Sequence, residues 1–196
     1  MKGQRTVGRY RAIDLTLFAV MLAVFEWIVV TASTRWFPNE PYTVSVVPVV
    51  TAIVMFRWGP WAAIHAALGG LVFCRASGGG ASQYVIYAMG NLLSLLSLLL
   101  IKALGGREQV RLDVLRTLLY GLSVVLLMQL GRFTVSLFFG TAVSEAARFF
   151  TTDVISDLFT LVILWIARRL DGMLESQYHY LVRVQREQEE ERGGYR

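Results

Sequence analysis

The amino-acid sequence predicts an all-α membrane protein: a bundle of six transmembrane helices with a cytoplasmic helical extension at its C-terminus. Three observations lead there. Hydrophobic residues supply 55% of the chain and charged residues 17%, a balance foreign to soluble domains. The apolar residues fall into blocks that approach or exceed the roughly 20 residues a helix needs to cross a bilayer. Basic residues gather in alternate connections between those blocks, as they do where cytoplasmic loops fix orientation. A soluble enzyme built round one apolar core is thereby excluded.

Residues 1–12 form a basic N-terminus, with Lys2, Arg5, Arg9 and Arg11 and no acidic residue. The 21-residue run Ile13–Ser33 is too long for a signal-peptide core and has no small-x-small cleavage site before Trp36 and Phe37, so it reads as an uncleaved first span. The connection Trp36–Tyr42, with Pro38 and Pro41, predicts an ordered loop at the membrane surface, because aromatics favour the interface and proline restricts the backbone. The stretch Thr43–Arg75 is interrupted by Arg57-Trp58-Gly59-Pro60, and Pro60 suits the first turn of a new helix. Two short helices result, Val44–Phe56 and Trp61–Cys74. The first reaches only about 20 Å at 1.5 Å per residue, so it needs protein cover, local thinning or a re-entrant path. The second carries Ala62, Ala63, Ala66, Ala67 and Gly70, a small-residue stripe that permits close helix approach. Span four follows the glycine turn Gly78–Gly80 and runs over Ser82–Leu104, stopping at Gly105-Gly106. Span five covers Leu112–Phe139 and span six Ala146–Ala167, completing a membrane domain over residues 13–170. In the tail, residues 171–196, Leu174, Tyr178, Leu181 and Val184 recur on one helical face ahead of the acidic run Glu187–Glu191. A solvated extension that frays at Gly193-Gly194 is expected.

Six crossings place both termini on one side, and the charges agree. With the N-terminus inside, 15 of the 19 basic residues lie in internal segments, Arg35 and Arg75 alone lie in external loops, and Arg132 and Arg148 sit within spans. The net charge of +5 is therefore read as topology, and no nucleic-acid partner is expected. A lone cysteine, Cys74, excludes an intramolecular disulfide framework, and two separated histidines leave no metal-ligand spacing. Cys74 reads as an apolar filler and His65 as a packed, hydrogen-bonded side chain.

An ionisable group at mid-membrane costs about 2.5–3.5 kcal/mol on insertion scales, so each needs a partner, a cavity or the interface. The candidates are Glu26, Arg132, Arg148, Asp153 and Asp157, with Glu145 at the mouth of span six. Tyr84, Tyr87 and Asn91 share one face of span four, and Gln129, Arg132 and Ser136 one face of span five. On span six, Glu145, Arg148, Thr152 and Ser156 form one stripe and Phe149, Asp153 and Asp157 its neighbour. All lie in the outer halves of their spans, which predicts a pocket open to the outside for a small polar organic molecule. The alternative is a structural network in which Arg132 and Arg148 neutralise Asp153, Asp157 or Glu145, with Glu145 and Arg148 already spaced as an i, i+3 pair. Glu26 would cap the pocket floor, take a proton or bond a neighbouring helix.

Over about Ile13–Leu170 the chain resembles the substrate-binding S components of energy-coupling factor (ECF) vitamin transporters. The resemblance rests on six spans with cytoplasmic termini, a long first outer loop, a Gly/Ala-rich third span, and Ala19-Val20-Met21-Leu22-Ala23, which matches the family's AxxxA docking motif. Val46-Val47-Pro48 followed by Arg57-Trp58-Gly59-Pro60 is similar to the family's proline-containing second helix and its short glycine-bearing turn. The resemblance implies an S-component-like bundle in a bacterial or archaeal cytoplasmic membrane. It implies capture of a micronutrient at the extracellular side by Tyr84, Tyr87, Asn91, Gln129, Arg132, Arg148, Thr152 and Asp153. Ala19 and Ala23 would dock on a transmembrane T subunit driven by two cytosolic ATPases, after which the whole S component tilts and releases inward.

No chemistry on the substrate is required, so no catalytic residue and no covalently bound cofactor are expected. The chain has no Walker A sequence, and ATP would be used by the partners. Arg132 or Arg148 would take a carboxylate or phosphate, and the tyrosines would stack on a ring. A second class of function is a non-transporting membrane scaffold of the MreD type, whose cytoplasmic tail recruits partners and which needs no outer cavity. An intramembrane enzyme fits least, since no Gly-x-Ser-x-Gly elbow or paired metal-binding histidines occur.

Overall fold

The computed structural model describes residues 2–40, 42–170 and 172–184 of the 196-residue chain. Among these every regular element is helical, with no strand. Helix α1, Lys2–Trp36, begins well ahead of the expected first span because nothing in the basic N-terminal segment breaks it. Asp14, Leu22, Glu26 and Val30 are buried along α1 at i, i+4 spacings, while Ile13, Leu17, Val20, Val24 and Ile28 are exposed. The polar stripe thus faces protein and the apolar face is left for lipid.

Helix α2, Val47–Trp58, is the central element, and 11 of its residues are buried. A helix that is apolar all round belongs inside. At Gly59 the backbone takes φ 63° and ψ −127°, a left-handed conformation that costs glycine little. The chain then turns through Gly59–Trp61 into α3, Ala62–Ser77. A Cβ on Gly69 of α3 would strike the Val47 side chain at the start of α2, so the two helices run antiparallel as a hairpin. Helix α4, Ala81–Asn91, continues through a 3-10 turn, Leu92–Leu96, into α5, Ser97–Ala103. The polar link after α5 holds a short helix, α6, Arg107–Leu112. Helix α7, Val114–Phe138, starts from an Asp113 cap whose carboxylate accepts the Leu115 amide. The sixth expected span is broken into α8, Val143–Ala146, α9, Phe149–Thr152, and α10, Val154–Ala167.

Among the described residues five helical stretches are long and apolar enough to cross a membrane: Val7–Trp36, Val47–Ser77, Ala81–Ala103, Val114–Phe138 and Val143–Ala167. The expected second and third spans are the two legs of one such stretch, the α2–α3 hairpin, and at 12 and 16 residues they reach only about 18 and 24 Å against the roughly 30 Å of a hydrocarbon core. One end of the bundle is basic. There Arg57 makes paired bonds of 3.0 and 2.9 Å to the Asp14 carboxylate, which also accepts the Trp58 indole N–H. Arg57 also donates to the Gly172 carbonyl, and Arg11 lies 4.5 Å over the Trp61 ring. This clamp ties α1, the hairpin turn and the segment after α10 together. At the same end a short helix spans 177–184. Its faces differ from the expected stripe: Leu174, Ser176 and Gln177 are buried and Tyr178 is exposed, since Leu174 precedes the helix. Glu187–Glu191 and Gly193-Gly194 lie outside the described residues.

Candidate functional site

The polar cluster at the other end begins with two glycines. α4 crosses α7 where Gly90 meets Gly131 so closely that a Cβ on either would run into the other helix's backbone. The next residue on each helix is therefore brought alongside its counterpart, and Arg132 Nε donates to Asn91 Oδ1 at 2.8 Å. Asn91 in turn donates to the Ala66 carbonyl of α3 at 3.0 Å. The Arg132 guanidinium lies 4.7 Å over the Tyr87 ring, which stacks on Phe73 at 4.7 Å and meets Phe149 edge-on at 5.8 Å. Its Nη1 donates to Asp153 Oδ2. Asp153 sits at the break between α9 and α10, which turns its carboxylate into the bundle rather than along a continuous helix face.

The loop between α1 and α2 closes over this cluster. The Thr43 hydroxyl donates to Asp153 Oδ1, and the Thr43 amide donates to the Thr152 carbonyl at 2.9 Å. The Ser45 amide donates to Ser156 Oγ at 2.9 Å, which itself donates to the Thr43 carbonyl at 3.1 Å. The Val46 amide donates to Glu26 Oε2 at 2.7 Å. The second Glu26 oxygen is buried with no hydrogen-bond partner. Between α7 and α10, Gln129 donates to Asp157 Oδ2 at 2.7 Å. Among the described residues Asp153 is the carboxylate that forms an ion pair with the Arg132 guanidinium.

Of the residues singled out from the sequence, Tyr87, Asn91, Arg132 and Asp153 meet directly, and Gln129 joins through Asp157 in the same interior. Tyr84 is half-buried, packed with Tyr87 against Val30, Phe73 and Cys74. Thr152 takes part through its carbonyl, while its hydroxyl donates to the Arg148 carbonyl. Arg148 is exposed, and neither it nor Glu145 makes an ion pair among the described residues. The short helices α8 and α9 carry both outward, so the long stripe imagined on span six is interrupted. The cluster is also closed by its own bonds and by the loop, where an open pocket was expected. Ala19 and Ala23 are half-buried on α1, flanked by exposed Val20, Met21 and Val24. His65 is buried and bonded to the Leu15 carbonyl at 2.9 Å, and Cys74 is buried.

Sequence reasoning missed Thr43 and Ser45, because nothing local distinguishes loop hydroxyls that reach across the fold. It also missed the Asp14–Arg57 clamp. The signal there was available: Asp14 is the only acidic residue before Glu26 in a segment otherwise rich in arginine. Compared with known proteins, the chain matches no family model, no curated protein and no solved structure.

Proposed function

We propose that this chain captures a small polar micronutrient for an importer of the ECF type, in the closed form of its binding site. The observation that carries the reading is the cover. The segment Thr43–Val46 rests on the polar interior through Thr43, Ser45 and Val46, bonding to Asp153, Ser156 and Glu26, and one Glu26 oxygen has no partner among the described residues. Buried polar groups are rarely left unpaired without a use. Lifting the loop frees three acceptors and exposes Tyr87 and the Arg132–Asp153 pair, the groups a ring-bearing polar ligand needs. Six passes, with α2 and α3 as short legs under protein cover, and both termini in the cytoplasm complete the reading. Ala19 and Ala23 form the approach for the T subunit, and two cytosolic ATPases drive release. Arg148, exposed at the rim, meets the ligand on entry.

The neutralised Arg132–Asp153 pair favours a second reading, a non-transporting scaffold whose interior is structural. Purification of the tagged chain from its native membrane separates them. The importer reading expects a T subunit and two ATPase chains, with a bound small molecule whose affinity falls about tenfold in Arg148→Ala while insertion and assembly persist. Recovery of other membrane or cytoplasmic partners, with no ATPase and no small molecule, refutes it.

A further inference from the structure

A second polar cluster lies at the basic end, away from the loop-covered interior. Helix α6 and the segment 172–184 enclose a cavity of about 540 Å³, with Arg107 and Arg111 on one wall and Leu174, Glu175, His179 and Arg183 on the other. We propose that this cavity binds a phosphate-ester anion at the membrane surface.

The charge inventory favours an anion. Arg107, Arg111 and Arg183 converge on a space whose lining, among the described residues, includes two carboxylates, Glu108 and Glu175. Glu175 serves two arginines at once: Arg111 at 3.3 Å and Arg183 at 3.2 Å. Charge-assisted N–H···O bonds are usually about 2.7–2.9 Å, so both guanidiniums are held loosely and keep free donors. Arg107 makes no ion pair among the described residues, and its partial burial pushes its pKa below the ordinary value by desolvation. A phosphate diester carries one negative charge shared by two oxygens, and these can accept from the forked donors that the shared Glu175 carboxylate leaves unfilled.

Place and size fit as well. The volume falls within the roughly 300–1,000 Å³ of small-ligand sites. The cavity lies where α7 begins, and Leu112 in its wall is 64% exposed with Leu115 beside it at 65%. Apolar side chains at the edge of an arginine-lined hollow suit a headgroup whose acyl chains run along α7, since basic pockets at this depth collect anionic lipids. A soluble phosphate satisfies the same donors without using the leucines.

Native mass spectrometry of the full chain, released from micelles containing equal phosphatidylglycerol and phosphatidylcholine, tests this. The expected result is at least tenfold enrichment of phosphatidylglycerol adducts, lost in Arg107→Gln/Arg111→Gln and kept in Arg35→Gln, which lies on the far end of α1. Thermal stabilisation by millimolar inorganic phosphate, absent in the same double variant, would support the site with a soluble anion as its source. Arg107→Lys, which retains charge and loses the fork, should weaken either adduct and guards against misfolding of the double variant. Equal retention of both lipids together with no phosphate effect, or effects unchanged in the double variant, overturns the proposal.

Discussion

Asp153→Ala isolates the central pair. Arg132 and Asp153 are 3% and 5% exposed, so removing the carboxylate leaves a guanidinium in the bundle with Asn91 Oδ1 at 2.8 Å and the Tyr87 face at 4.7 Å as its remaining partners. Breaking a buried pair from one side costs about 3–5 kcal/mol, because the other charge stays desolvated. The Tyr87 face, worth about 0.5–2 kcal/mol, is already in contact in the parent chain and offsets none of that. Removing both charges, Arg132→Met with Asp153→Leu, eliminates the stranded ion and is often neutral where packing is kept. Here it also orphans Asn91 Oδ1, at about 1–3 kcal/mol, whereas the Thr43 hydroxyl loses its partner in the single and double variants alike. The double variant should therefore match or exceed the single variant in stability, although it carries one more substitution. Equilibrium unfolding in mixed micelles, run as a complete double-mutant cycle, reads the coupling. Additive losses, with the double variant clearly below Asp153→Ala, would mean that the two groups do not neutralise one another and that the reasoning is wrong.

Asp14→Ala should cost about 3–5 kcal/mol by stranding Arg57, 8% exposed, and should loosen the segment after α10, seen as faster proteolysis there. Gly131→Ala should be among the most damaging single-methyl changes, at about 1–3 kcal/mol or more, because the methyl meets Gly90 backbone. Gly80→Ala, with nothing within 4 Å of the added carbon, should leave the melting temperature nearly unchanged. Thr43→Ala removes a hydrogen bond to a carboxylate, worth about 1.5–3 kcal/mol. Its signature is faster hydrogen exchange confined to residues 37–46, and protection unchanged from the parent chain would show that the loop is held by something else.

Much of the helical architecture is legible in the sequence because lipid imposes a simple rule: apolar blocks become helices, and Gly59-Pro60 interrupts one of them. The number of crossings is less legible. Block length decides little for the α2–α3 hairpin, whose legs are short and of which α2 is the buried one. The interior partners of Arg132 follow from helix faces, since Tyr87, Asn91, Arg132 and Asp153 carry the costly polar groups of three apolar stretches. Arg148 lies exposed where the same rule would aim it inward, because that periodicity presumes a continuous helix and the helix is interrupted at Ala147 and again at Asp153. Thr43 and Ser45 meet Asp153 and Ser156 across more than 100 residues. Contacts of that range arise from the packing of the whole bundle, and no local pattern announces them.

The central claim is that the interior beneath loop 37–46 is a ligand site. Native mass spectrometry of protein gently extracted from its own membrane tests it most directly, comparing the parent chain with Arg132→Met/Asp153→Leu. The account predicts a small-molecule adduct of constant mass on the parent chain and its loss from a double variant that remains folded. A parent chain with no adduct, or an adduct equally occupied in both, would contradict it.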